Sequence, residues 1–537
     1  MWPPPPPLGA YPLPVITFAV LSGPLPKLGV IAVALLAAVV MLARDDGTRA
    51  WAMLGALILS PVLLLAQIWH SPQLGVIHRH PLEAVVAAAF ALAALAGVAV
   101  LLFRRPRLLA PLAVAVVPFR IPIQAGGATG SSNLLVPLYF VVAAAALAWL
   151  VPVLWERRDG GAPGASEASA PERFPFERLL AASVVLYALQ AIYSTDFQTA
   201  LDNTVFFYVP FALLFARLRE LEWDRELVTW SLAVTAVLAV AVACIGFYEE
   251  ATKTTLFSSK LAQVNDIHSY FTANSVFYDS NIFGRYMAIV MVLLVALLLY
   301  DRRPRMQIAV TVTLAVVWGG LVLALSRSSL AALLVGMGTL AAVRWRATKP
   351  VLGVAAAVVV IGVIAVAVSP NTFGLNQGLN GASSGRANLV TGGVSLFGSR
   401  PVWGYGSGSF VKEYQSRYPG SVNTVSASHT IPITVAAEQG LIGLVVYLAL
   451  VISALLALFR EVRADPIRLA VAAAFLALIV HTMLYADFLE DPITWTLLGI
   501  GSALLTASRT GRTAAQREAE RARRAARAAP APVARAQ

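Results

Sequence analysis

The chain has 537 residues, of which 58% are hydrophobic and only 13% charged, with a formal net charge of +12. A soluble globular domain carries roughly twice that share of charge. Too little polar sequence remains to coat a soluble surface, so a water-soluble enzyme is excluded. The excess positive charge lies in short loops and the carboxy-terminal tail, as the orientation bias of membrane proteins requires, and is no nucleic-acid signature.

Apolar runs of roughly 16 to 23 residues recur from end to end, the length that crosses a bilayer as a helix. The chain opens with Met1-Trp2 and five prolines and lacks the basic leading region of a cleaved signal peptide, so none is expected. Spans are expected near 28–43, 51–69, 82–103, 108–123, 133–154, 178–193, 200–216, 226–247, 281–300, 307–325, 329–343, 350–368, 431–459, 467–486 and 493–508. A further segment, 11–23, is a short extra span or a re-entrant piece, and Pro111, Pro118 and Pro122 interrupt 108–123. The expected fold is all-α, a polytopic membrane protein of about 14 to 16 spans with a large outer loop containing short helices. The lone Cys244 allows no intrachain disulfide.

Alternate loops are basic. One set holds Arg44 and Arg49; Arg104, Arg105 and Arg107; Arg157 and Arg158; Arg217, Arg219 and Arg225; Arg302, Arg303 and Arg305; Arg344, Arg346 and Lys349; and Arg460, Arg463 and Arg468. The tail after Ser508 carries eight Arg and two Glu. Retention of Lys and Arg on the cytoplasmic side puts the tail inside and residues 248–280 and 369–430 outside. The chain then divides into a Pro-rich segment (1–27), an amino-terminal bundle (28–247), an outer loop (248–280), helices through the Ser326-Arg327-Ser328 element (281–368), a large outer loop (369–430), carboxy-terminal spans (431–508) and a basic tail (509–537). Residues 156–177 read as a flexible linker. The stretch 513–528 forms a basic helix on the lipid surface or a disordered topology anchor.

The loop 369–430 is the longest polar interval, with one His, three Arg, one Lys and a single acidic residue, Glu413. Its Gly, Ser and Asn content predicts tight turns. Arg327 stands between two apolar runs and offers either a planar fork for phosphate oxygens or a snorkelling helix end. Arg386 opens an amphipathic stretch, facing a lipid-linked headgroup or solvent. His429 is the only histidine of the loop. A neutral imidazole there can take a proton from a sugar hydroxyl, or merely cap the following helix. Glu438 follows nine residues later, near the same face if the helix is continuous, where it pairs with an arginine or orients the histidine. Asp487, Glu490 and Asp491 form an acidic turn, read as solvated, as balancing the basic loop or as accepting hydrogen bonds from a sugar. His78 and His80 are accompanied by no cluster of Asp, Glu or Cys, so no metal site is assigned, and His268 has fewer supporting neighbours than His429.

Pro401-Val402-Trp403-Gly404-Tyr405-Gly406-Ser407-Gly408-Ser409-Phe410, Ser428-His429-Thr430 and Glu438-Gln439-Gly440-Leu441-Ile442-Gly443 together resemble the O-antigen ligase and polymerase superfamily. Ser326-Arg327-Ser328 is similar to its membrane S-R-G element, and Phe277-Tyr278-Asp279-Ser280-Asn281 to its turn before a span. Thr430 stands where Asn is usual, and Ser280 where Pro is usual. The resemblance covers roughly 270–505.

It implies transfer of a glycan from a polyprenyl-diphosphate carrier to a glycan, lipid or protein acceptor at the outer face of the bacterial inner membrane. It implies a metal-independent inversion without a cofactor. Arg327 and Arg386 would bind the donor diphosphate and His429 would deprotonate the acceptor; Glu438 and Arg400 are further substrate-binding candidates. Ligation, repeat-unit polymerisation and protein glycosylation share these motifs, and ligase-type transfer is slightly preferred. A transporter of lipid-linked glycan is the alternative of a different class, but it predicts charge at the bilayer midplane.

Overall fold

In a computed structural model, residues 23–68, 79–119, 121–123, 132–158, 173–256, 265, 271–277, 279–354, 356–357, 360, 386–419 and 428–528 are described. The apolar runs fold as helices, and their ends carry the expected signals. The elements are α1 (Pro24–Leu42), α2 (Asp46–Ile68), α3 (Pro81–Arg104), α4 (Leu109–Val116), β1 (Ile121–Ile123), β2 (Ser132–Leu134), α5 (Val136–Arg158), α6 (Pro175–Gln190), α7 (Phe197–Asn203) and α8 (Val209–Arg219). There follow α9 (Arg225–Thr252), α10 (Ser280–Tyr300), α11 (Pro304–Leu323), α12 (Arg327–Arg344), α13 (Arg386–Ser399), α14 (Phe410–Arg417), α15 (Ile431–Leu458), α16 (Pro466–Leu484) and α17 (Pro492–Ala528). Asp224, Asp279, Ser326 and Asp465 cap α9, α10, α12 and α16 by accepting from backbone amides of the first turn.

Among the described residues, eleven helical segments are long and apolar enough to cross a membrane, so this is a multi-pass membrane protein. Of the other expected spans, 350–368 lies mostly outside the described residues, 493–508 is the first part of α17, and two differ for local reasons. The expected span at 108–123 is instead the eight-residue α4, then a strand that pairs Ile121 with Leu134 in an antiparallel ribbon. Pro118 and Pro122 lie where that helix would have continued. The expected span at 329–343 is the 18-residue α12, which begins on an arginine and is less apolar than the eleven. The tail is helical, since α17 runs unbroken from Pro492 to Ala528. Most of 1–27, most of 350–368, residues 369–385, and His78, His268 and Tyr278 lie outside the described residues.

One continuous apolar core runs from Val30 in α1 to Leu505 in α17. Within it α12 packs on α16, α10 on α11, α12 and α16, and α15 on α6. The large loop has a small core of its own, where Leu389, Leu396, Tyr405, Phe410 and Tyr414 close over Ala437 of α15. This cap rides on the first turns of α15.

Candidate functional site

The glycine-rich turn is a latch. Helix α15 breaks at Gly440, with φ 64° and ψ −162°. Pro401 O takes the Leu441 amide at 2.7 Å, while Ala437 O and Glu438 O receive the Tyr405 and Gly406 amides at 3.1 and 2.8 Å. The approach is so close that a Cβ on Gly404 would meet Glu438 O at 2.3 Å, and one on Gly440 would meet Val402 O at 2.3 Å. The turn is also tied to the amino-terminal half. The Tyr193 hydroxyl donates to Trp403 O at 2.6 Å, and Ser194 Oγ to Ser407 O at 2.7 Å.

Glu438 closes this latch. Its Oε2 accepts from the Gly408 amide at 2.9 Å and its Oε1 from the Phe410 amide at 3.1 Å. The continuous helix needed to place it beside His429 is absent, because α15 begins only at Ile431 and His429 has φ 56°. Its carboxylate is thus turned to backbone amides, and among the described residues neither an arginine nor the histidine is its partner.

A second cluster gathers four of the motifs at one end of the bundle. Ser428 shapes the turn before α15. Its Oγ accepts from the Thr430 amide at 3.2 Å and lies 2.7 Å from Thr434 Oγ1, which holds His429 in the left-handed conformation. A non-glycine residue there carries strain of about 1 kcal/mol or more, of a kind concentrated at functional sites. The His429 ring rests 5.4 Å from that of Tyr485, and among the described residues its Nδ1 has no hydrogen-bond partner. Arg386, at the start of α13, donates from Nη1 to Leu484 O at 3.2 Å. His429 and Arg386 therefore dock on adjacent residues at the end of α16. Burial, then the Arg386 guanidinium, push the His429 imidazole below its ordinary pKa, while Asp279 pulls it the other way. The ring is held neutral near pH 7.

The Ser326-Arg327-Ser328 element meets the same helix end. Ser328 Oγ lies 3.2 Å from Nε2 of the fully buried His481, whose ring packs edge-on to Tyr485 at 5.6 Å. Ser326 Oγ donates to Asn281 Oδ1 at 2.9 Å, which joins the Asp279-Ser280-Asn281 turn to the cluster. Arg327 itself is exposed, and among the described residues it forms no hydrogen bond or ion pair. The structure thus gathers His429, Arg386 and the segment bearing Arg327. It does not bring in Arg400, which follows the far end of α13.

His481 was not singled out from the sequence, although a histidine inside an apolar run is the expected mark of function. Arg285 lies near the start of α10. It is fully buried and donates from Nη1 to Ala486 O at 3.2 Å and Asp487 O at 3.0 Å. Its Nη2 lies 2.8 Å from Asp491 Oδ2. The solvated reading of the acidic turn is overturned: Asp491 is 2% exposed and Glu490 Oε1 accepts from the Tyr208 hydroxyl at 2.7 Å. Desolvation drives this ordering, since a buried guanidinium needs a paired anion.

The fold and this cluster define a multi-pass membrane protein with a polar, partly buried His–Arg site at one end of its helices. Residues 312–448 match the Wzy_C family model, described as O-Antigen ligase, so this stretch is similar to that family. That stretch holds Arg327, Arg386, Arg400, His429 and Glu438 but ends before His481 and Tyr485. A search among curated proteins returned no match.

Proposed function

We propose that this protein transfers a glycan from a polyprenyl-diphosphate carrier to an acceptor hydroxyl at the outer face of the bacterial inner membrane. The carrying observation is the docking of His429 and Arg386 on Tyr485 and Leu484, beside the Ser326–Ser328 element. The orientation rests on charge. The Arg302–Arg305, Arg344–Lys349 and Arg460–Arg468 loops lie at the opposite helix ends, where retained positive charge belongs inside.

In this reading His429, held neutral, takes the proton of the acceptor hydroxyl. The acceptor oxygen attacks the anomeric carbon as the bond from that carbon to the diphosphate oxygen breaks. The electron pair leaves with polyprenyl diphosphate, and direct displacement inverts the anomeric centre. Arg327 and Arg386 bind the diphosphate and stabilise its growing charge, the device such a leaving group requires. The proton on His429 then passes to water, and no cofactor enters the scheme.

The test is transfer from a purified polyprenyl-diphosphate glycan with EDTA present. Wild type is expected to form product, His429→Ala to lose roughly 10²–10⁴-fold in rate, and Arg327→Ala and Arg386→Ala about 10²–10³-fold each. One discrete product on an added acceptor indicates a ligase. A ladder of carrier-linked lengths indicates a polymerase. Carrier movement in liposomes without turnover would overturn the reading in favour of transport.

A further inference from the structure

The opposite end of the bundle holds an arginine cluster that the transfer chemistry does not use: Arg49 of α2, Arg173 just before α6, and Arg217 and Arg219 of α8. These are the helix ends that the charge bias assigns to the cytoplasm. Gln190, at the other end of α6, donates from Nε2 to Gln439 O in the outer latch at 3.1 Å. A rise of about 1.5 Å per residue puts about 25 Å between the two ends of α6. The cluster is therefore separate from the His429 site.

Arg49, Arg173 and Arg219 are 6%, 9% and 8% exposed. Glu220 pairs with both Arg49 and Arg217, whose guanidinium groups lie over the Trp149 ring at 4.9 and 5.1 Å from its centroid. The fully buried Glu177 accepts from Arg219 Nε at 2.5 Å. Half-exposed Asp46 lies 3.3 Å from Arg49 Nη1. Three carboxylates thus answer four guanidinium groups. The one left over is Arg173, which donates from Nη2 to Ala43 O at 2.9 Å and forms no ion pair among the described residues. Burial lowers the Arg173 pKa first; Glu177 and Glu220 oppose that, while Arg49 and Arg44 add to it. Arg173 Nε, Arg217 Nε and Arg219 Nη2 are also buried without an acceptor among the described residues. A buried cation with open donors is unfavourable until an anion meets them.

The position of the cluster indicates what carries that anion. Trp51 of α2 and Trp155 of α5, each 62% exposed, mark headgroup level at this end of the helices. Ala43, whose carbonyl Arg173 holds, is followed by the exposed Arg44, which extends the positive charge to the surface. The cytoplasmic leaflet is the anionic one, and basic sites between helices on that side are where lipid phosphates bind. We propose that Arg173, with Arg49, Arg217 and Arg219 around it, binds a phosphate group, that of an anionic phospholipid in the inner leaflet. A planar guanidinium fork fits two phosphate oxygens at once, and the open Nε and Nη2 donors supply the bonds. This site does not rest on the transfer reading.

The test titrates purified full-length protein in dodecyl maltoside with radiolabelled dioleoyl phosphatidylglycerol. Unlabelled phosphatidylglycerol, phosphatidylcholine and inorganic phosphate serve as competitors. Wild type is expected to retain the label saturably and to release it to phosphatidylglycerol but not to phosphatidylcholine. Loss of one charged hydrogen-bonding group costs about tenfold or more in affinity, and this is expected for Arg173→Gln. Arg173→Lys keeps the charge without the fork and is expected to fall between. Arg400→Gln removes the same charge at the outer end and is expected to bind like wild type. Release by millimolar inorganic phosphate would keep the phosphate site and make free phosphate its source; indifference to it assigns the site to lipid. Equal retention by wild type and Arg173→Gln, with matched melting curves, would overturn the proposal. If Arg173→Gln does not fold, wild type alone decides: release by phosphatidylcholine as readily as by phosphatidylglycerol would overturn it.

Discussion

The rings of His429 and Tyr485 lie 5.4 Å apart, while Arg386 donates to the carbonyl of the residue before Tyr485, Leu484, at 3.2 Å. One helix end thus positions both a base and a cation, and the cation acts on the base. Arg386 and burial lower the His429 pKa, and Asp279 raises it. Removing the positive charge with Arg386→Gln is therefore expected to move the His429 titration to higher pH, and Asp279→Asn to move it lower. The working form of the base is neutral, so the acidic limb of the pH–rate profile follows in the same directions. Imidazole NMR titration checks the shifts directly. No movement in either variant would remove the electrostatic link.

The same depression has a stability consequence. An imidazole whose folded pKa lies below its unfolded value contributes fully above the unfolded pKa, near 6.5. That contribution is lost as pH falls toward the folded value. His429→Gln is therefore expected to lose less melting temperature than wild type on acidification below about pH 6.5. Melting curves in detergent across that window provide the check.

Gly404 and Gly440 exclude side chains from each other's strand of the latch. Alanine at either position meets a backbone oxygen at 2.3 Å and sits at positive φ. Each substitution is expected to destabilise by roughly 2 kcal/mol or more. The check is thermal unfolding, with proteolysis within 401–419 reporting release of the cap. Alanine tolerated at both sites would show that the latch is not needed.

Glu438 holds two amides of the same turn. Its replacement by Ala leaves two buried donors unsatisfied, at a cost of about 1–3 kcal/mol for each group. The expectation is a lowered melting temperature with the dissociation constant for the donor nearly unchanged. A large rise in that constant without loss of stability would instead place Glu438 on the substrate.

Arg285 and Asp491 form a buried pair, at 0% and 3% side-chain exposure. Asp491→Ala strands the guanidinium and is expected to cost roughly 3–5 kcal/mol. Because Arg285 also holds Ala486 O and Asp487 O, the change should loosen the end of α16 and lower transfer through kcat. Hydrogen exchange at residues 484–488 distinguishes this from a uniform loss of stability.

Much of this protein was legible in its sequence, because bilayer chemistry is written locally. Runs such as 281–300 and 431–459 must be helices, since no water is present to satisfy their backbone groups. The polar interval with His429, Arg386 and the glycine-rich turn stood out for the same reason. What the sequence left open were partners across long separations: His481 with Ser328, Asn281 with Ser326, Arg285 with Asp491. Hydropathy and helical period say which residues avoid lipid and nothing of which helix receives them. Arg386 and Arg400 look alike in sequence, but α13 holds them at opposite ends, so that one meets His429 and the other does not. Glu438 likewise turned to the amides of the loop because Gly440 breaks the helix behind it. Tertiary structure decided these outcomes, because a buried charge or donor is settled by whichever partner the packing brings within hydrogen-bonding reach.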